Sequence, residues 1–351
     1  MNIKSLGKSR LIKGMIIPPT HVELIVVDHC NISCNTCNHA SPMMPSWFAD
    51  PDTVHRDFSI LSKYYRPKFV KVLGGEPLMH KHLDAVIQAA RATGISDYFK
   101  LTTNGLLLHK ASDAIWEAVD EVEISLYPGL TLAEENIHLA MDKSEVFGKK
   151  LTIYYYEQFR STFSLKGTSD NALVNRIYAA CKIANVWGCH AVRDGFFHKC
   201  PQSIYTAMLT GKCESTDRIP IVDSAAFQVA LLEYVNSPVP LSACVHCVGT
   251  VGIHKSHGLL PLNQMPADID KPMEELVDYD WLERSLITQD TYDDCKIPSR
   301  LGVTRALTKH PTLQRLLRTF WPKILYHDFL CLSKPPMRQS AAEACHKNLK
   351  R

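Results

Sequence analysis

Cys30-Asn31-Ile32-Ser33-Cys34-Asn35-Thr36-Cys37 sets three cysteines at C-x3-C-x2-C spacing directly after an apolar run, Glu-Leu-Ile-Val-Val-Asp at 23–28. That run predicts a short buried strand ending in a loop. Three thiols within eight residues of loop can wrap one side of an iron–sulfur cube and ligate three of its irons. The fourth iron is then open to a small molecule. A structural zinc site is the alternative, with His29 and His39 at hand as a fourth ligand.

A second stretch, Val70-Lys71-Val72-Leu73-Gly74-Gly75-Glu76-Pro77, is again a β-branched strand, and it runs into a glycine pair and an acid. Two glycines allow close approach of the backbone, and Glu76 can accept a hydrogen bond from a ligand ammonium. Alone, this is an ordinary turn. Following the three cysteines in this order, it makes residues 20–250 or so resemble the radical S-adenosylmethionine (SAM) superfamily. The resemblance implies that Cys30, Cys34 and Cys37 hold a [4Fe–4S] cluster whose open iron chelates SAM. It also implies that Gly74, Gly75, Glu76 and Pro77 hold the SAM amino group. Thr36 departs from the pattern, because the residue before the third cysteine is often aromatic in the family.

Composition bounds the rest. At 351 residues, 46% hydrophobic and 21% charged, the chain can bury a full core. It contains no run of 18 apolar residues and no signal-peptide pattern at its start, so a cytoplasmic protein without a transmembrane segment is expected. Twelve cysteines then argue for metal ligation in a reducing compartment, not for a disulfide framework. Residues 299–351 carry 11 Lys/Arg against 2 Asp/Glu, which leaves 28 against 34 in the preceding chain. The tail is basic and the body mildly acidic. A basic helical pattern at 301–320 suits either a membrane surface or, as the plainer alternative, packing on its own domain.

Strands and helices are predicted to alternate through residue 156. Helices are expected at 50–65, 80–93, 111–119 and 131–142, and strands at 69–73, 98–103, 122–126 and 151–156. Such alternation gives right-handed βαβ units and an α/β fold with a parallel sheet. This is similar to the partial (β/α) barrel of the radical SAM family. Ligands of parallel β/α folds gather at the carboxyl ends of strands. Asn104 and Ser125 are therefore candidate SAM contacts, with Thr103 and Tyr127 behind them.

Six further cysteines follow: Cys181, Cys189, Cys200, Cys213, Cys244 and Cys247. Asp194-Gly195 predicts a hairpin turn, and Cys200 lies at the hairpin's exit. The C-x13-G-x4-C arrangement, completed by C-x2-C, resembles the Twitch/SPASM type of auxiliary domain. That resemblance implies a second [4Fe–4S] cluster on Cys181, Cys200, Cys244 and Cys247, with Cys189 as a substitute for Cys181. A four-thiolate zinc ribbon is the alternative, and His198 and His246 flank the ligands. Cys213, Cys295, Cys331 and Cys345 read as packing or exposed thiols. Three segments are thus expected: a barrel at 1–165, an auxiliary domain at 166–255, and a loop and basic helical extension at 256–351.

The resemblance extends to aminocyclitol- and sugar-modifying members, such as the butirosin-pathway dehydrogenase. It implies a radical SAM oxidoreductase acting on a small polyol, aminocyclitol or sugar, with electrons from a flavodoxin or ferredoxin and no nucleic-acid partner. The substrate would lose a hydrogen atom, and its second electron would pass to the auxiliary cluster. Arg160, or Glu157, is a candidate for positioning the substrate hydroxyl. The alternatives are a redox-neutral epimerase or dehydratase, in which Cys189 or Cys213 returns the hydrogen in the epimerase case, a peptide-modifying enzyme, and a zinc-binding interaction module.

Overall fold

The computed structural model describes residues 7–287 except 131, 213, 263 and 265. The described residues all belong to one compact unit. Cys213, Cys295, Cys331, Cys345 and the basic 301–320 segment lie outside the described residues.

The main sheet has eight strands, numbered here in chain order: β1 (His21–Val27), β2 (Phe69–Gly74), β3 (Phe99–Thr103), β4 (Glu121–Leu126), β5 (Lys150–Tyr155), β6 (His190–Arg193), β7 (Phe196–His198) and β8 (Ile219–Pro220). Their order across the sheet is β8-β7-β6-β1-β2-β3-β4-β5, with β6 and β1–β5 all parallel and β7 antiparallel to both of its neighbours, β6 and β8. The helices between the first five strands are α1 (Pro51–Leu61), α2 (Leu83–Arg91), α3 (Asp113–Ala118) and α4 (Glu134–Val146). The result is an α/β fold with an open, parallel-dominated sheet of the partial-barrel type.

Local chemistry explains the elements. Every residue of β1 is buried, because both of its faces are covered, as parallel sheets require. The Asp50 carboxylate accepts from Thr53 N at 2.8 Å and caps α1. The α2 stripe of Leu83, Val86, Ile87 and Ala90 is fully buried, and α2 lies against α1 and α3. At the Asp194-Gly195 turn both residues have positive φ, 49° and 80°, as a two-residue hairpin requires.

Two arrangements differ from a reading of local pattern alone. The 190–198 hairpin is part of the main sheet, because β6 pairs directly with β1 (His190 beside Val22). Residues 254–260, loop-like in composition, supply two short strands. His254–Ser256 pairs with Gln158–Arg160, and Leu259–Leu260 pairs with Ser33–Cys34 inside the cysteine loop. The remaining helices are α5 (Asn171–Ala180), α6 (Pro201–Thr210), α7 (Ala225–Asn236) and α8 (Tyr279–Ile287). One apolar core joins Leu173, Ile177 and Val248 to Met273, Leu276 and Leu282. The chain on either side of residue 255 is therefore packed together.

Candidate active site

The cysteine loop leaves β1 and the GGEP turn leaves β2, two adjacent parallel strands, so both arrive at the same carboxyl edge of the sheet. They are fastened to each other by backbone. Gly75 N donates to Val27 O at 2.8 Å and Glu76 N donates to His29 O at 3.2 Å. A Cβ on Gly74 would sit 2.0 Å from Val27 O, and one on Gly75 would sit 1.9 Å from His29 O. The glycine pair is thus needed for the turn to lie on the cysteine loop. His39 adds a third tie, its Nδ1 lying 2.8 Å from Gly74 O.

Glu76 is fully buried. Its carboxylate accepts from Thr103 Oγ1 (2.6 Å), Asn104 N (2.8 Å) and Leu78 N (3.1 Å). Burial raises the Glu76 pKa, with these hydrogen bonds opposing the rise. Asn104 turns its amide toward the cysteine loop, donating to Asn31 Oδ1 at 2.8 Å with Cys30 Sγ at 3.8 Å. Neither Thr103 as the anchor of Glu76 nor Asn31 as the partner of Asn104 is evident from sequence. Adjacency of β2 and β3 is what brings them together.

The three thiols lie within electrostatic reach of one another, and burial pushes the pKa of each upward. Glu76 adds to the rise at Cys30. Uncompensated thiols of this kind suit a bound metal group, whose positive charge reverses the penalty. The loop also buries Ser33 Oγ and Thr36 Oγ1 without a hydrogen-bond partner among the described residues. A shallow cleft, open to solvent, lies beside it, lined in part by Cys34, Thr36, Cys37, Met43, Phe163 and Asp268. The donor set fits an iron–sulfur cluster.

Ser125 is buried near the end of β4, next to Tyr154 on β5, and its side chain bonds Tyr127. Tyr127 feels Cys34 and Cys37 electrostatically and stacks on His257 at 4.7 Å and 15°. Tyr156 and Phe159 complete an aromatic wall there. His257 reaches this wall through the 254–260 strands and is not foreseen by any local motif. Arg160 ends its short strand with Nε donating to His254 Nε2 at 2.9 Å. Glu157 accepts a backbone bond from His257 N at 2.9 Å.

Cys181 caps the end of α5, Cys200 precedes α6, Cys244 lies within a 3-10 turn at Ser242–His246, and Cys247 caps that turn. Cys181, Cys200, Cys244 and Cys247 all lie within electrostatic reach of neighbours in this set, and burial raises the pKa of each, Cys200 to about 12. Four clustered thiols suit a four-thiolate metal centre. Gly249 lies so close that a Cβ there would be 3.0 Å from Cys181 Sγ. Lys199 is buried beside them, donating to Tyr178 Oη (2.5 Å) and Ser237 O (2.6 Å). Burial lowers its pKa to about 8, against the opposing pull of Cys200, Cys244 and Cys181. Cys189 stands apart, grouped with His21 and Glu23.

No protein-family model matches the sequence. The chain is similar to the GTP 3',8-cyclase of Mannheimia succiniciproducens, 28% identical over 106 residues covering 29% of this chain and 31% of that protein. It is also similar to the GTP 3',8-cyclase of Rhodopirellula baltica, 31% identical over 91 residues covering 25% of each. The matched region is less than a third of the length of these curated relatives. Among solved structures, BtrN in complex with AdoMet and 2-DOIA aligns over 66% of this chain and 94% of its own, at 16% identity and TM-score 0.41. Streptococcus suis SuiB aligns over 40% and 34%, at 20% identity and TM-score 0.31. No helix among the described residues is long and apolar enough to cross a membrane.

Proposed function

We propose that the chain is a radical SAM oxidoreductase that oxidises an alcohol of a small polyol, aminocyclitol or sugar. The observation that carries this reading is the joining of Cys30, Cys34 and Cys37 to the Glu76 turn at one edge of the parallel sheet, through Gly75–Val27, Glu76–His29 and His39–Gly74 contacts. With a [4Fe–4S] cluster and SAM bound, such a site supplies reductive SAM cleavage to a 5′-deoxyadenosyl radical that takes a hydrogen atom from substrate.

The chain's own part is binding, orientation and exclusion of water. Cys30, Cys34 and Cys37 would hold the cluster. Asn104 keeps its amide between Asn31 and Cys30, where a SAM carboxylate or ribose would find a donor. Glu76 has roughly four acceptor positions and uses three on protein donors, which leaves one for the SAM ammonium. The aromatic wall of Tyr127, Tyr156, Phe159 and His257 offers apolar faces to a ring-shaped substrate, as pockets with few polar groups do. Cys181, Cys200, Cys244 and Cys247 would hold a second cluster with no position left for substrate, suited to accepting the remaining electron. Arg160 is the proposed partner of the substrate hydroxyl, and a flavodoxin or ferredoxin the electron donor.

The test is anaerobic reconstitution followed by iron analysis and product assay. Wild type should hold about eight irons and form 5′-deoxyadenosine under reduction. A Cys30→Ala/Cys34→Ala/Cys37→Ala variant should lose about four irons and all SAM cleavage. A folded Cys244→Ala/Cys247→Ala variant should keep cleavage and lose net alcohol oxidation. Unchanged cleavage in the triple variant refutes the radical SAM reading. A product at the substrate's own oxidation level refutes the oxidoreductase reading in favour of an epimerase or dehydratase.

A further inference from the structure

At the amino-terminal end of β1, the far end from the cysteine loop, His21, Glu23 and Cys189 present one ligand atom each, all within 4.8 Å of one another. His21 and Glu23 share a face because they are two residues apart on a strand. Cys189 joins them because it precedes β6, whose His190 is registered beside Val22. His21 is the first residue of β1, while Glu23 lies within electrostatic reach of His39 and Tyr205 beside the cysteine loop. Both β1 side chains are about nine-tenths buried, His21 at 9% and Glu23 at 7% exposure.

The Thr20 contact fixes which nitrogen of the neutral His21 ring carries the hydrogen. Thr20 Oγ1 donates its one proton to Trp187 O, so toward His21 Nδ1, 3.0 Å away, it can only accept. His21 Nδ1 therefore carries the hydrogen, and in the neutral ring Nε2 keeps its lone pair. That lone pair faces Glu23 Oε1 at 3.5 Å, too long for a hydrogen bond. His21 Nε2 and Glu23 Oε2 are buried without a hydrogen-bond partner among the described residues. Two acceptors facing each other beside a thiol, out of water, call for a cation between them. Lys71 lies within electrostatic reach of Glu23 and Cys189, but its ion pair, at 3.4 Å, is with Glu123. His21 is further fixed by stacking on Phe69 at 4.9 Å and 14°.

We infer that His21 Nε2, Glu23 and Cys189 bind one divalent transition metal, with Zn²⁺ the ion their donors suit best. Imidazole, carboxylate and thiolate are all zinc ligands, and three of them leave a fourth position for water. The Glu23 and Cys189 anions balance the ion's charge. Thr20 plays the part of the group that accepts the ligand histidine's other N–H and fixes its tautomer. Such an ion fastens β6, which leads to Cys200, onto β1, which leads to Cys30. It is independent of the cluster chemistry proposed above.

The test uses full-length protein with its iron sites loaded, incubated with Zn²⁺, desalted and analysed for metals. The expected content is about one zinc per chain, with an X-ray absorption spectrum showing one Zn–S distance near 2.3 Å and N/O ligands near 2.0–2.2 Å. Glu23→Gln and Cys189→Ser should each lose the zinc while keeping their iron. Thr20→Val should weaken zinc binding by about 10- to 100-fold. The spectrum needs only wild type, so it decides even where a variant fails to fold. Zinc-free protein, a spectrum with three or four sulfur ligands, or full zinc retention in both ligand variants overturns the assignment.

Discussion

Thr103 donates its hydroxyl to Glu76 at 2.6 Å, locking the carboxylate at the end of one strand to the end of the next. Together with the Asn104 and Leu78 amides, this bond fixes the direction in which the remaining acceptor position points. Removing the carboxylate costs more than removing one of its anchors. Glu76→Ala should weaken SAM binding by about 10- to 150-fold, the loss of one charge-assisted hydrogen bond. Thr103→Val should weaken it by about 2- to 12-fold, the loss of one ordinary bond. Anaerobic calorimetry on reconstituted protein measures both. Equal losses in the two variants would show that Glu76 acts only as a brace.

Gly75→Ala tests the docking of the two loops. Its Cβ would meet His29 O at 1.9 Å, a backbone atom that cannot swing away. The turn must lift off the cysteine loop, at a cost of about 1–3 kcal/mol or more for overpacking. The expected result is a lowered melting temperature together with reduced iron retention at the three-cysteine site. A variant with normal iron content and stability would show that the turn has slack the structure does not suggest.

Lys199 places a buried positive charge beside the four-thiol site. A cation there favours the reduced, more negative form of any cluster bound to those thiols. Lys199→Met should shift that cluster's potential downward, on the order of 100 mV. Potentiometric titration followed by electron paramagnetic resonance reads this directly. An unchanged potential in a variant with full iron content would remove Lys199 from the electrostatics of the site.

Glu123 lies between two lysines on the inner face of the sheet, 3.4 Å from Lys71 and 3.2 Å from Lys100. Despite burial, which acts the other way, these lysines hold its carboxyl below the ordinary value, and Glu121 is lowered too, by its hydrogen bonds and lysine neighbours. Depressed carboxylate pKa values stabilise the fold above the unfolded-state pKa of about 4.5, and that stability is lost as pH falls through the lower folded values. Wild type should therefore weaken steeply below about pH 4.5. Glu123→Gln, which takes the ion-pair partner from Lys71 while Lys100 keeps Glu121 at 3.2 Å, should cost about 3–5 kcal/mol near neutral pH and flatten the acid limb. Denaturant unfolding across pH 3–8 is the measurement (a range set by the reference pKa values). A variant as stable as wild type would show that Lys71 finds another partner.

The βαβ order and the strand positions were legible because each depends on local pattern: β-branched runs, an Asp50 cap, an Asp194-Gly195 turn. The meeting of Cys30 with Glu76 was legible for the same reason, since consecutive parallel strands end on one edge. The insertion of β6 beside β1 was not. It pairs segments about 170 residues apart, and nothing in His190–Arg193 distinguishes a sheet partner from a free hairpin. The strands at 254–260 were hidden by length, because two or three residues show no alternation to read. With them were hidden His257's place on the aromatic wall and the cover over the cysteine loop. Cys189 looked like a spare auxiliary ligand until register set it beside His21 and Glu23.

The pairing of Leu259–Leu260 with Ser33–Cys34, with Asn35 N donating to Gly258 O, bears on the order in which the protein is made. Leu259 lies 225 residues after Cys34 in the chain. During synthesis the three thiols thus leave the ribosome long before the strand that lies across them. A cluster held by these thiols, as proposed, would have an open window for insertion while the nascent chain grows and a narrower one once Leu259–Leu260 has paired with the loop. A chain ending before residue 254 should accept iron and sulfide faster than the finished protein and lose them faster too. The late strand then acts as a latch on a site that is built early.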